Sequence, residues 1–309
     1  MTNAPRTHQP TRRQVLAGGA GLAALLLGAG GCGALTLPSA DDALMRMRAL
    51  ASRDAAALQG PAAQVRAAHA EALGAEITRS CGTRDDGSAP EGCGDAPAAP
   101  APPSGAAPEE QLLGARLDPD LVEALDGRTL RQDYNALLAA AVDGGIVLAA
   151  RGLDVDWEDL VPAKPTGDIG GKDADLLASA LEAEYALVYG MGVAAPRIDA
   201  EFQVSAGTSA DRHRLLRDRI IAALDDAGRD IPPSSPGYAI ADGAPDPDVD
   251  AAAFAGHLES AAADAWRHVL REASATAVRM TALGAAGLAQ AGAAVFAGDG
   301  TAALPGLGA

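Results

Sequence analysis

The sequence predicts an all-α protein, and three observations carry that prediction. Apolar residues make up 48% of the chain but aromatics only 3%. Much of the apolar content is alanine, the best helix former and small enough to let helices pack closely. Apolar residues recur three and four positions apart through long stretches, the spacing of one helix face. One short run suits a strand, GIVLAA at 145–150; it has no partner strand in the sequence and is read as helix.

The first element is a leader, residues 1–31. Arg12 and Arg13 precede an apolar run from Val15 to Ala29 that is diluted by Gly18, Gly19, Gly21 and Gly28. A membrane-spanning helix needs about twenty mostly apolar residues, so this run is too short and too glycine-rich to span. Its basic start, short apolar centre and small-residue end are the parts of a secretory signal. The paired arginines resemble a twin-arginine signal, the route for proteins exported already folded. The segment Ala29-Gly30-Gly31-Cys32 resembles a bacterial lipobox, which makes Cys32 the lipid-carrying first residue of the mature chain. The expected location is the outer face of the cytoplasmic membrane, as a lipoprotein. The alternative is ordinary cleavage nearby and a secreted soluble protein.

The chain has three cysteines, an odd number that calls for an explanation in an exported protein. With Cys32 acylated, Cys81 and Cys93 remain, flanking the polar, turn-rich loop GTRDDGSAPEG. In an oxidising compartment they are expected to form a disulfide. A metal site is the alternative reading, but two cysteines at that spacing with no nearby histidine suit it poorly.

Charge narrows the partners. No acid precedes Asp41, so the mature chain sets 41 acids against 21 basic residues, a net charge of −20. A broad basic surface for nucleic acid or anionic lipid headgroups is excluded. The remaining partners are the membrane, through the lipid, and a protein of the cell envelope.

After the leader, residues 32–81 read as a helical hairpin. Leu44, Met47, Ala51 and Leu58 form its first stripe, and Val65, Ala68, Ala72 and Ala75 its second. Gly60-Pro61 breaks the two apart, with Pro61 at a first helical position. His69 falls at the edge of the second stripe and is expected to be a half-buried packing residue. Residues 82–110 are rich in proline, alanine, glycine and serine, a composition that buries too little apolar surface to fold and is read as a mobile linker. Residues 111–167 form a helical connector region, with Trp157 as a docking anchor.

Residues 168–292 read as four helices, followed by a flexible tail at 293–309. The first carries Leu177, Leu181, Glu184, Val188 and Met191 on one stripe. The second is expected to start at a Thr208/Ser209 cap, with His213, Leu216, Ile220 and Leu224 inward and a stop at Gly228. The third carries Ala255, Leu258, Glu259, Ala262 and Trp266, and the fourth is dominated by small residues. The outer two connections are short and the middle one is long and proline-rich. Short loops join antiparallel neighbours, so one long crossover between the second and third helices predicts a ferritin-like four-helix bundle.

The stretches ALEAEYALVYGMGV, ADRHRLLRDRIIAAL, the proline-rich loop ending near GYAIADG, and HLESAAADAWRHVL also resemble a ferritin-like domain family of unknown function. That family occurs in twin-arginine-exported, often lipid-anchored actinobacterial proteins, and the likeness covers roughly residues 170–291. Its Glu-His pair stands here as Glu184-Tyr185, its His-Arg as His213-Arg214 and its Leu-Glu as Leu258-Glu259. The resemblance implies the fold and the export route, and no activity.

A ferritin-like bundle raises the question of metal. A dinuclear site needs a Glu from each of two helices and a Glu-x-x-His pair from each of the others. Ala210 stands where the second helix would need that Glu, and no Glu or His follows residue 273. Glu184, His213 and Glu259 are left. Two carboxylates and an imidazole suit a single Fe, Mn or Zn ion. The competing reading is a buried polar cluster in which the carboxylates pair with Arg214, Arg217 or Arg279 and His213 bridges by hydrogen bonds, since buried charges must be paired or bound. That cluster is the leading reading, and with it no cofactor. No catalytic motif is found: Gly190 and Gly192 follow no strand, and the serines near His257 and His268 lie in no nucleophile elbow. The expected role is a non-enzymatic scaffold or interaction module, with a metal-binding or redox protein as the alternative. A small apolar ligand held between the helices is a third reading.

Overall fold

A computed structural model of the chain describes residues 40–91, 93, 161–238 and 250–297, all within one compact unit that starts at Pro38. Among the described residues there are six helices and no strand. None of these helices is long and apolar enough to cross a membrane. Arg12, Arg13, Cys32, the linker from residue 94, the connector helices with GIVLAA and Trp157, and the tail from residue 298 lie outside the described residues.

Helices α1 (Asp42–Ala57) and α2 (Gly60–Cys81) form the expected hairpin. The Leu44 amide donates to the Asp41 carboxylate at 3.1 Å, holding the start of α1. The turn between them uses Gly60 at φ +63°, a left-handed conformation natural to glycine, and Pro61 opens α2. The inner stripe of α2 is not the one expected. Arg66, His69, Leu73, Ile77 and Cys81 are buried, while Val65, Ala68 and Ala72 are half-buried and Ala75 is exposed. Apolar periodicity alone passes over Arg66 and His69. The Arg66 guanidinium donates to Asp54 from Nε at 3.0 Å and from Nη2 at 2.9 Å, and from Nη1 to His69 Nδ1 at 2.8 Å. His69 is therefore fully buried and polar-bonded rather than half-buried packing. A guanidinium only donates, so Nδ1 accepts and the ring is neutral with its proton on Nε2.

Cys81 and Cys93 are joined in a disulfide and both are buried. The loop they close belongs to the fold, so the linker does not start at residue 82. In the chain-entropy picture a loop of this size stabilises by about 3 kcal/mol.

The other four helices form the bundle: α3 (Gly171–Ala194), α4 (Ala200–Asp226), α5 (Ala251–Glu272) and α6 (Thr276–Phe296). Helix α3 packs on α4 and α5, α5 packs most closely on α6, and α6 meets α4 only sparsely. Helices α4 and α5, joined by the long connection over 227–250, therefore lie across the diagonal. Helix α4 begins at Ala200 after Asp199, about two turns earlier than the Thr208/Ser209 signal indicated. Ser209 is fully buried inside the helix and its hydroxyl is used in a tertiary hydrogen bond, so a cap-like residue was serving the core instead. The amides of Ala252 and Ala253 donate to Asp250, which caps α5. Helix α6 continues past residue 292 to Phe296, whose ring packs against Phe202 with centroids 6.1 Å apart.

The apolar face of the hairpin is continuous with the bundle core. Leu44, Met47, Leu73 and Ile77 belong to one buried cluster with Leu177, Leu181, Leu216 and Trp266. The segment before α3 lies on the bundle, where Arg219 donates to the carbonyls of Val161 and Pro162 and Thr281 donates to Ala163. Asp173, in the first turn of α3, is buried at the α5–α6 turn. The amides of Ser274 and Ala275 donate to its two oxygens at 2.8 Å each. These amides precede α6 and would otherwise lack partners. Asp173→Ala is expected to destabilise the fold by about 2 kcal/mol, read as a lower midpoint in urea unfolding with an unchanged slope.

Candidate functional site

The centre of the bundle holds a closed polar network carried by three helices. Glu184 comes from α3, Ser209, Arg212 and His213 from α4, and Glu259 and Trp266 from α5. Ser209, Arg212 and His213 fall three and four positions apart and so share one face of α4; Glu259 and Trp266 are two turns apart on α5. Glu184, Ser209, His213, Glu259 and Trp266 are fully buried, and Arg212 is 6% exposed.

Every carboxylate oxygen in this network has a donor. His213 Nδ1–H donates to Glu184 Oε2 at 2.7 Å and Nε2–H donates to Glu259 Oε2 at 2.9 Å. Trp266 Nε1–H donates to Glu184 Oε1 at 2.6 Å. The Ser209 hydroxyl donates to Glu259 Oε1, and Arg212 Nη2 lies 3.7 Å from the same oxygen. Two carboxylates are thus balanced by an imidazolium and a guanidinium.

Helix α6 contributes by leaving space. A Cβ built on Gly292 would lie 2.2 Å from the Glu259 carboxyl carbon, inside any real contact distance. Glycine at this position lets the Glu259 head sit between α5 and α6. At Gly190 a Cβ would meet the terminal methyls of Leu258 at 2.6 and 2.8 Å, a looser constraint because that half-buried side chain can shift.

Burial works against a charged His213, since a low-dielectric core disfavours the imidazolium. The charges of Glu184 and Glu259 and the hydrogen bonds to both outweigh that penalty and raise its pKa to about 10. Burial also holds Arg212 below its ordinary value, and the nearby Glu259 partly offsets this.

The structure brings the three expected residues together, Glu184, His213 and Glu259, in a form that suits ion pairing. A metal ligand must present a lone pair, and both ring nitrogens of His213 carry protons donated to carboxylates. A dinuclear centre also needs side chains from the fourth helix, where Gly292 stands against Glu259. The residues therefore do not fit a dinuclear metal. Among the described residues no group of three or more His, Cys, Asp or Glu is arranged to hold an ion. The arginine beside Glu259 is Arg212, whereas Arg214 and Arg217 pair with Asp211 and Asp218. Ser209, Arg212 and the donor role of Trp266 were missed from sequence; their spacing from His213 and Glu259 on shared helix faces was the available signal. For Gly292 there was none.

Gly292→Ala should destabilise by about 3 kcal/mol, because the locked Glu259 head cannot swing aside; chemical denaturation would measure it. The folded-state pKa of His213 is about 10, raised from the ordinary value near 6.5. Its contribution is therefore complete below about pH 6.5 and is lost as pH rises towards 10, by up to about 1.4 kcal/mol per pH unit. Wild type and His213→Gln, compared by unfolding from pH 6 to 9, should converge as pH rises.

Residues 176–309 match the family described as a domain of unknown function, DUF4439. The chain is also similar to the crystal structure of a conserved hypothetical protein from Mycobacterium tuberculosis, at 27% identity over 41% of this chain and 96% of that one, with a TM-score of 0.38. No curated protein matches the chain.

Proposed function

We propose that this protein is an exported, lipid-anchored helical protein that acts as a non-enzymatic scaffold or interaction module at the cell envelope. Its C-terminal bundle is read as ferritin-like, with the long connection between α4 and α5 as the crossover and a protein ion-pair network where such bundles hold metal. The observation that carries this reading is the position of His213, which spends both ring nitrogens on Glu184 and Glu259. A histidine that holds a metal presents a lone pair to it, and a site that turns substrate over on a metal also keeps an open position.

Export is supported by the Arg12-Arg13 leader, the Cys32 motif and the net acidic charge of the chain. The Cys81–Cys93 disulfide suits the same compartment. A second reading, a single Fe, Mn or Zn ion held by Glu184, His213 and Glu259, is favoured by the convergence of those three side chains.

Elemental analysis of the folded chain, purified without chelators, separates the two readings. The scaffold reading expects no stoichiometric metal and a helical fold that survives chelator. Near-stoichiometric Fe, Mn or Zn, lost in Glu184→Ala, would overturn it. For the anchor, cell fractionation is expected to place the wild type with membranes and to release Cys32→Ser.

A further inference from the structure

The connection that leaves α4 reads Ile231-Pro232-Pro233-Ser234-Ser235-Pro236-Gly237-Tyr238. Proline fixes φ at about −65° and has no amide to donate, and a residue before proline is held to extended backbone. Together these restrictions reach every residue from 231 to 236 except Ser234, so the segment has little freedom left to lose on binding. It forms neither helix nor strand, and Ile231 and residues 233–237 are exposed while Pro232 is half-buried. Both ends are held. At one, Gly228 takes φ +62° and the Arg229 amide donates to the Leu224 carbonyl at 2.9 Å, which closes α4. At the other, the Tyr238 ring packs against Tyr189 of α3 with centroids 5.6 Å apart. The Ser235 amide donates to the Tyr238 hydroxyl at 2.9 Å, and the Ser235 hydroxyl donates to the Gly237 carbonyl at 2.7 Å.

A proline-ordered segment fixed at both ends is the form in which a polyproline helix is recognised. The partner supplies a groove lined by aromatic side chains, and the order already present spares the complex the entropy cost of arranging the ligand. Apolar groups here face outward. Ile231 is 36% exposed and Tyr189 41%, two of the three large apolar side chains exposed among the described residues, and both belong to this segment or its anchor. Charge narrows the partner further. Residues 230–250 contain Asp230, Asp242, Asp246, Asp248 and Asp250 and no basic residue, so the complementary groove has a basic rim. We propose that residues 231–236 are a presented polyproline segment, the contact through which a partner protein with an aromatic-lined, basic-rimmed groove binds this chain. The segment gives the interaction module proposed above a class of partner, and its role rests on that reading.

The test uses the full chain with benzoylphenylalanine in place of Ser234, irradiated among the envelope proteins of its own cells. The cross-linked protein is then purified and titrated calorimetrically against the wild-type chain. Cross-linking is expected to be suppressed by a synthetic peptide of residues 229–238 and by decaproline. The titration is expected to show saturable binding that weakens as salt is raised, and that falls at least about tenfold in Pro233→Ala/Pro236→Ala. Both prolines are exposed, so the double variant keeps the helical fold, which circular dichroism checks. Absence of a cross-linked protein, a cross-link to polysaccharide, cross-linking untouched by both peptides, binding indifferent to salt, or equal binding by the folded double variant would each overturn the proposal. Metal content of the same sample reports separately on the interaction-module reading, so the two fail by different signals.

Discussion

Two carboxylates buried in the middle of an alanine-rich bundle set the terms for the rest of the fold. An ionised carboxylate transferred from water to an apolar interior loses several kcal/mol of hydration even after relaxation, so Glu184 and Glu259 can be fully buried only if every oxygen is satisfied. His213 does most of this by bridging them, and the indole of Trp266 and the hydroxyl of Ser209 take the remaining oxygens. These partners fix the axial register of α3, α4 and α5 against one another, because a slip of one residue on any helix would strand a buried charge. Apolar alanine faces do not discriminate registers so sharply, since one small side chain replaces another with little change in packing.

Helix α6 follows from the same requirement. It carries no side chain into the network, and its part is to keep clear of the Glu259 head at Gly292. Close approach to α5 is possible because small residues dominate its surface, and nearly all of its length is buried. In bundles of this connectivity that hold two metal ions, the fourth helix supplies ligands and the cations come from solution. Here Arg212 and His213 supply the positive charge covalently. The side chains of the network thus satisfy one another's charges and hydrogen bonds, and its stability is coupled to pH through His213.

The hairpin repeats this solution on a smaller scale. Asp54 is buried where Arg66 reaches it with two nitrogens, and Arg66 in turn donates to His69. The two histidines differ in charge for a plain reason. His213 faces two carboxylates and is held protonated, whereas His69 faces a guanidinium and accepts from it. The disulfide then ties the end of α2 to the loop that follows.

Much of this was legible in the sequence. The all-helical class, the hairpin, the four bundle helices with their long middle connection, the Cys81–Cys93 pair and the inward Glu184, His213 and Glu259 all follow from periodicity, turn residues and cysteine spacing, which are local properties of the chain. What failed locally did so where polar residues served the interior. Ser209 read as a cap, and the true stripe of α2 was hidden because Arg66 and His69 do not count as apolar. Only the tertiary structure decided that His213 bridges two carboxylates instead of offering a lone pair, that Arg212 and not Arg214 stands beside Glu259, and that Gly292 makes room for it. Each of these depends on distances between side chains far apart in sequence, and a carboxylate in the core takes its chemical role from whichever donors the packing brings to it.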